Sequence, residues 1–433
     1  MYTTPPPARH DPYAALRFRD FRLLIIGTFF AIIGEQMIGV AIGWELYERT
    51  GQTLYLGLVG LVQVIPVVLL ALPAGHIADR FDRKKIMMLM LLALSLCSLG
   101  LGLLSWRQGS LIMVYACLLV IGIARSFQGP ASSALVPQLI PEEHYANAAT
   151  WQSTAWQSSS IIGPALGGLI IALQHSATTI YFIDAALLLG LCGVISLLRP
   201  RPVQLSTEPA TLNSLLAGLK FVYRTKVILA SITLDMVAVL LGGATALLPV
   251  FAKDILHVGP TGLGLLRTAP ALGAVIAALA LAHLPPFRRA GRTLLIVVAG
   301  FGVATIVFGL STSFPLSLLM LALLGGLDSV SVVIRSTLLM LRTPDAMRGR
   351  VNAVHNVFVG LSNELGAFES GLAAALLGTT VAVAAGGVGT ILVVGAVALV
   401  WPEVRRLGRL DNAVAEAVVP PLSDGQEPVA SSQ

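Results

Sequence analysis

Charge is what this chain has least of. Asp, Glu, Lys and Arg make up 12% of its 433 residues, about half the share of a soluble domain. The hydrophobic share is 56% and the mean hydropathy +0.83. A surface with so few charges faces lipid rather than water. Cysteine is scarce as well. Cys97, Cys117 and Cys192 lie in apolar runs without metal or redox spacing, so they read as small buried apolar residues. No Gly-x-x-x-x-Gly-Lys-Ser/Thr loop occurs, which argues against ATP-driven work by this chain. His-Glu-x-x-His and Gly-x-Ser-x-Gly are also missing, so neither a metal hydrolase nor an elbow hydrolase is expected. The expectation is a protein that is not an enzyme and needs no cofactor or metal. The first twenty residues are polar and include Pro5-Pro6-Pro7. They contain no apolar stretch ending in small residues, so no cleaved leader is expected.

Long apolar runs are what the chain has instead. A spanning helix needs about 20 mostly apolar residues. Twelve such runs are legible, roughly 22–47, 53–79, 86–106, 110–130, 150–173, 178–198, 227–252, 262–284, 293–311, 315–341, 351–378 and 381–402. Between the second and third lies a dense charged patch, Gly75-His76-Ile77-Ala78-Asp79-Arg80-Phe81-Asp82-Arg83-Lys84-Lys85. Basic clusters between spans stay in the cytoplasm. With the N-terminus inside, 22 of the 28 Lys and Arg residues fall in cytoplasmic segments and three (Arg49, Arg107, Lys253) outside. Arg125, Arg267 and Arg335 fall within spans. This asymmetry puts both termini in the cytoplasm. It also accounts for the net charge of +6, so no nucleic-acid partner is expected.

The chain divides near its middle. The expected domains are a cytoplasmic segment 1–20, a six-helix bundle 21–198, a linker 199–226, a second six-helix bundle 227–403 and a polar tail 404–433, read as disordered. The linker opens Arg199-Pro200-Arg201-Pro202. Leu212, Leu215, Leu216, Leu219 and Val222 then recur at helical spacing, with Lys220, Arg224 and Lys226 among or just past them. That pattern predicts a short amphipathic helix on the cytoplasmic membrane surface. The two halves repeat. Gly60, Leu61 and Pro66 match Gly264, Leu265 and Pro270 at a constant offset, and Asn147-Ala148 matches Asn352-Ala353 at nearly the same one. Duplicated six-helix halves with a substrate path between them are a transporter architecture.

These features together resemble the major facilitator superfamily, and within it the bacterial branch that includes enterobactin and multidrug exporters. Three motifs carry the resemblance. The Gly75–Lys85 patch is similar to the loop signature between the second and third spans, with Asp82 where the family has a second Gly. The resemblance implies a cytoplasmic gate built from Gly75, Asp79, Arg80, Arg83 and Lys84. In it Asp79 engages the other half, and the basic residues pair with acids at neighbouring helix ends. Arg125-Ser126-Phe127-Gln128-Gly129 resembles the intramembrane Arg-x-x-Gln-Gly motif, which implies proton coupling or contact with a substrate anion. The alternative is an Arg snorkelling to the cytoplasmic face. Gly163-Pro164-Ala165-Leu166-Gly167-Gly168 resembles the exporter motif of the fifth span, which implies antiport and export. Leu234-Asp235-Met236, Leu247-Leu248-Pro249, Arg348-Gly349-Arg350-Val351-Asn352 and Ser362-Asn363-Glu364-Leu365-Gly366 extend the likeness over about 20–403. The implied fold is all-α, twelve transmembrane helices in two pseudo-symmetric bundles. The implied setting is a bacterial inner membrane.

Ionisable residues within spans are functional candidates by default. Glu35, Arg125, Asp235, Asp328, Arg335, Glu364 and Glu369 are the candidates here. In this superfamily spans 1, 4, 7 and 10 line the cavity, and each carries one or more of these charges. A carboxylate in an apolar site holds its proton to higher pH. Glu35 is therefore the leading expectation for proton or cation recognition, followed by Asp235 and Glu364. Asp328 with Arg335 reads as a structural ion pair. Asp184 and Glu45 read as interfacial, and Trp44 and Trp106 as interface anchors. Gln36, Gln63, Gln128, Trp156, Gln157, His355, Asn356 and Phe358 are candidate cargo contacts, a mix suited to a bulky amphipathic or cationic substrate. The expected activity is proton-coupled export of a small organic molecule such as a siderophore or drug. Its partners would be the bilayer, the cargo and protons, with a monomer as the unit. Uptake, lipid transport and sensing are the alternatives.

Overall fold

The computed structural model describes residues 11–201, 212–285 and 287–408. The first half is built from α1 Arg19–Thr50, α2 Thr53–Arg80, α3 Arg83–Trp106, α4 Leu111–Leu135, α5 Tyr145–Gln174 and α6 Thr178–Leu197. The linker helix α7, Leu212–Arg224, follows. The seventh span is broken into α8 Lys226–Leu241, a 3₁₀ turn, α9 Leu248–Val250 and a π turn Phe251–Ile255. The break follows from Gly242-Gly243 and from Pro249, which has no N–H to give the ladder. Next come α10 Gly259–His283, α11 Ala290–Leu310, α12 Phe314–Arg342, α13 Asp345–Leu377 and α14 Thr379–Val400, then the short α15 Pro402–Arg406. Among the described residues there is no strand.

Among the described residues, eleven segments are long and apolar enough to cross a membrane. The twelfth expected span, α13, is 33 residues long but carries Arg348, Arg350, His355, Asn356, Asn363, Glu364 and Glu369. It packs along α2 and α8, and its mid-helix Asn363 and Glu364 line the cavity between the halves. It also begins at Asp345, earlier than the apolar run at 351, because polar residues continue a helix that hydropathy alone does not register.

The basic loop is built on helix ends. Asp82 caps α3, accepting from the backbone N–H of Lys84 at 2.9 Å. Its φ of −60° needs no glycine, which explains why an Asp serves there. Lys84 Nζ donates to the carbonyls of Ser196 and Leu198 at 2.7 and 2.8 Å. Arg83 Nη1 donates to Ala134 O at 3.1 Å. Lys84 and Arg83 thus meet C-terminal carbonyls of α6 and α4, where the helix dipole is negative. Arg80 is exposed. The side chain of Asp79 lies outside the described residues, and so do residues 202–211 of the linker and 409–433 of the tail.

The repeat is visible as packing. The halves meet through α2 against α13 and α5 against α10. A Cβ at Gly60 would lie 2.5 Å from Glu364 O on α13, and one at Gly264 would lie 2.5 Å from Pro164 O on α5. The duplicated glycines therefore occupy equivalent contacts, because only a missing Cβ lets the backbones approach so closely. Pro66 abuts Gly122 and Pro270 abuts Gly325 in the same symmetric way. Tyr47 donates a short hydrogen bond to Asp254, and Thr268 Oγ1 donates to Ile161 O at 3.1 Å. These contacts lie toward the end of the bundle opposite the termini, where the halves are closed together.

Candidate functional site

A cavity of about 770 Å³ lies between the halves, walled by α1, α2, α4, α5, α10, α12 and α13 and by the broken seventh span. The inter-half joints close the far end, so the cavity opens toward the end that carries the termini. Its polar groups come from mid-helix positions. Glu35 is seventeenth of the 32 residues of α1.

Arg125 Nη2 pairs with Glu35 Oε1 at 3.0 Å, and its Nη1 donates to Gln63 Oε1 at 3.0 Å. Arg125 thus has a carboxylate partner within the bundle. An arginine at mid-span costs about 2.5–3.5 kcal/mol on insertion scales, and the carboxylate offsets it. Both partners remain partly open to the cavity, with side-chain exposures of 36% and 51%. The pair can therefore be reached from the cavity. Gln36 Nε2 donates to Ser160 Oγ at 3.1 Å, tying α1 to α5. Trp156 is exposed and lines the wall with Gln157, Asp328 and Glu364.

Other candidates fall elsewhere. Asp235 and Arg335 are buried behind the cavity and paired with each other. Asp328 is a second partner of Arg335 at 3.8 Å. The expected pair of Asp328 with Arg335 is thus the outer part of a triad centred on Arg335. Arg335 Nε also donates to Ser331 Oγ at 3.2 Å. Gln128, His355, Asn356, Phe358 and Glu369 do not line the cavity. Asn356 is exposed, and Phe358 packs on a cluster with Val222 and Ile228. The exporter motif sits at a joint. Gly163 and Gly167 pack on α1 at Ile33, Gln36 and Met37, while Gly168 and Pro164 O meet α10.

Two expectations are corrected, those for Asp184 and Trp44. Asp184 is 2% exposed and accepts from Ser98 Oγ at 2.6 Å. It is a core residue facing Gly34 of α1, not an interfacial one, because α6 begins only at Thr178 and turns it inward. Glu45 is tied to Arg49 at 3.3 Å and to the Tyr181 hydroxyl at 2.9 Å. Trp44 is buried, while Trp106 is exposed. Sequence reasoning also passed over two cavity residues, Arg267 and Asn363. Arg267 had a signal, an arginine inside an apolar run, but no partner by which to assign it.

A mid-membrane ion pair inside a cleft between two pseudo-symmetric helical bundles defines a membrane transporter rather than an enzyme. The chain belongs to the Major Facilitator Superfamily, whose family model matches residues 24–367. It is similar to the enterobactin exporter EntS of Citrobacter koseri, 28% identical over 94% of this chain and 95% of that one. The enterobactin exporter EntS of Shigella boydii is 29% identical over 89% and 92%. In fold it resembles a bacterial homolog of the human lysosomal transporter Spinster in an inward-facing and occupied conformation. That match has a TM-score of 0.71 and 14% identity over 95% of this chain and all of that one. The nucleoside transporter NupG gives 0.70 and 12% over 88% and 98%.

Proposed function

We propose that this protein exports a small organic molecule, such as a siderophore or drug, across the bacterial inner membrane in exchange for protons. The observation that carries this reading is the Glu35–Arg125 ion pair, open to a cavity between two halves that are joined at one end only. Protonating Glu35 releases Arg125, and that local charge change is what a two-state bundle needs in order to couple proton and cargo. Both termini face the cytoplasm, supported by the lopsided distribution of Lys and Arg. In that orientation the structure is inward-facing. The exporter motif at the joint of α1, α5 and α10, together with the similarity to enterobactin exporters, supports export over uptake. The acting unit is a single chain.

The test uses proteoliposomes with an internal pH dye and an imposed proton gradient, screened with siderophores, antibiotics and lipophilic cations. Cargo-dependent proton movement in the wild type that is lost in Glu35→Gln is the expected result. Movement unchanged in the variant would transfer coupling to Glu364 or Asp235. No proton movement with any cargo would contradict proton-coupled export.

A further inference from the structure

The cavity wall carries three acids, Glu35, Asp328 and Glu364, and two arginines, Arg125 and Arg267. Glu35 faces Arg125 at 3.0 Å. Asp328 faces Arg335 at 3.8 Å. Arg125 and Arg335 thus each have a carboxylate partner. Arg267, on α10, has no acid within ion-pair distance and makes no hydrogen bond among the described residues, and its Nε is buried without a partner. Its guanidinium lies over α1 of the other half. A Cβ at Gly39 would be 2.7 Å from Nη1, and one at Gly43 would be 3.5 Å from Nη2. Two glycines thus make the room for it, and all three residues line the cavity near its closed end. A cation buried in a membrane protein without a partner is costly, and a guanidinium is a planar fork suited to two oxygens of one anion.

Resting on the transporter reading above, we propose that the cargo is an organic anion, whose carboxylate or ionised phenol docks on Arg267 between Gly39 and Gly43. The anionic group enters the cleft first and seats at the closed end, while the apolar body lies along the wall toward Trp156. This narrows the cargo beyond a bulky amphipathic or cationic molecule.

The test is binding to the full-length protein in nanodiscs, read by calorimetry without a proton gradient. The probes are a panel of aromatic carboxylic acids and catechols, their neutral amides and methyl ethers, and quaternary ammonium analogues. Wild type is expected to bind one or more acids at least tenfold tighter than the matched neutral form. Arg267→Gln should remove that preference and Arg267→Lys should keep part of it. Gly39→Ala, which leaves the charge in place but crowds Nη1, should weaken the same acids. Preference for the ammonium or neutral probes, acid binding unchanged in Arg267→Gln, or no binding by any acid would each overturn the proposal. The readout is independent of transport. Acid binding without proton movement would count against proton-coupled export alone. Proton-coupled transport of cations, unaffected by Arg267→Gln, would count against the anion site alone.

Discussion

Asp235 and Arg335 show how one buried pair constrains this molecule. Their side chains are 9% and 6% exposed, so removing the Asp235 charge leaves Arg335 only the longer contact with Asp328 at 3.8 Å, and breaking a buried pair costs up to about 3–5 kcal/mol. Asp235→Asn should lower the thermal midpoint in detergent by a corresponding margin, and the double variant with Arg335→Gln should recover part of it. Glu35→Gln acts differently. Arg125 keeps Gln63 as an acceptor and lies at a water-accessible wall, so the fold should survive with an unchanged midpoint while proton movement falls at least tenfold. At this scale the sequence announced which residues matter but not whom they touch. Asp328 and Arg335 share a helix and invite pairing by their spacing, yet the strongest partner, Asp235, comes from α8. Asp184 stands near the start of its apolar run. Only the packing of α6 on α1 and α3 shows that it is buried.

Helices here act through their contacts more than through their internal order. The joints of α2 with α13 and of α5 with α10 have glycines where backbones meet. Gly264→Ala would place a methyl 2.5 Å from Pro164 O, and backbone cannot yield as a flexible side chain does. The variant should therefore disfavour closure at this end. Cysteine cross-linking between α5 and α10 at that joint should become slower, and transport should fall with it. Asp82→Ala removes the cap of α3 and should cost about 0.5–2 kcal/mol, measurable as a lower midpoint in thermal denaturation. Apolar length made the spans legible, and it also made α13 hard to bound. Its Asn363 and Glu364 line the cavity, and hydropathy scores a polar residue alike whether it faces lipid or a cleft.

The whole molecule is two six-helix bundles that enclose one polar cleft. The repeat of Gly60, Leu61 and Pro66 at Gly264, Leu265 and Pro270 let that symmetry be read from the chain. The structure shows its physical content, two equivalent joints at one end. The central claim is that these joints open as the opposite end closes, under control of the Glu35–Arg125 pair. The most direct measurement is a pair of spin-label distances in a background with Cys97, Cys117 and Cys192 replaced by serine. One pair, at Gln52 and Leu377, reports the closed end. The other, at Gln152 and Leu284, reports the open end. Between acidic and alkaline buffer the two distance distributions should shift in opposite directions, and Glu35→Gln should abolish the shift. Distances that stay fixed at both ends, or that shift equally in the variant, would contradict the account.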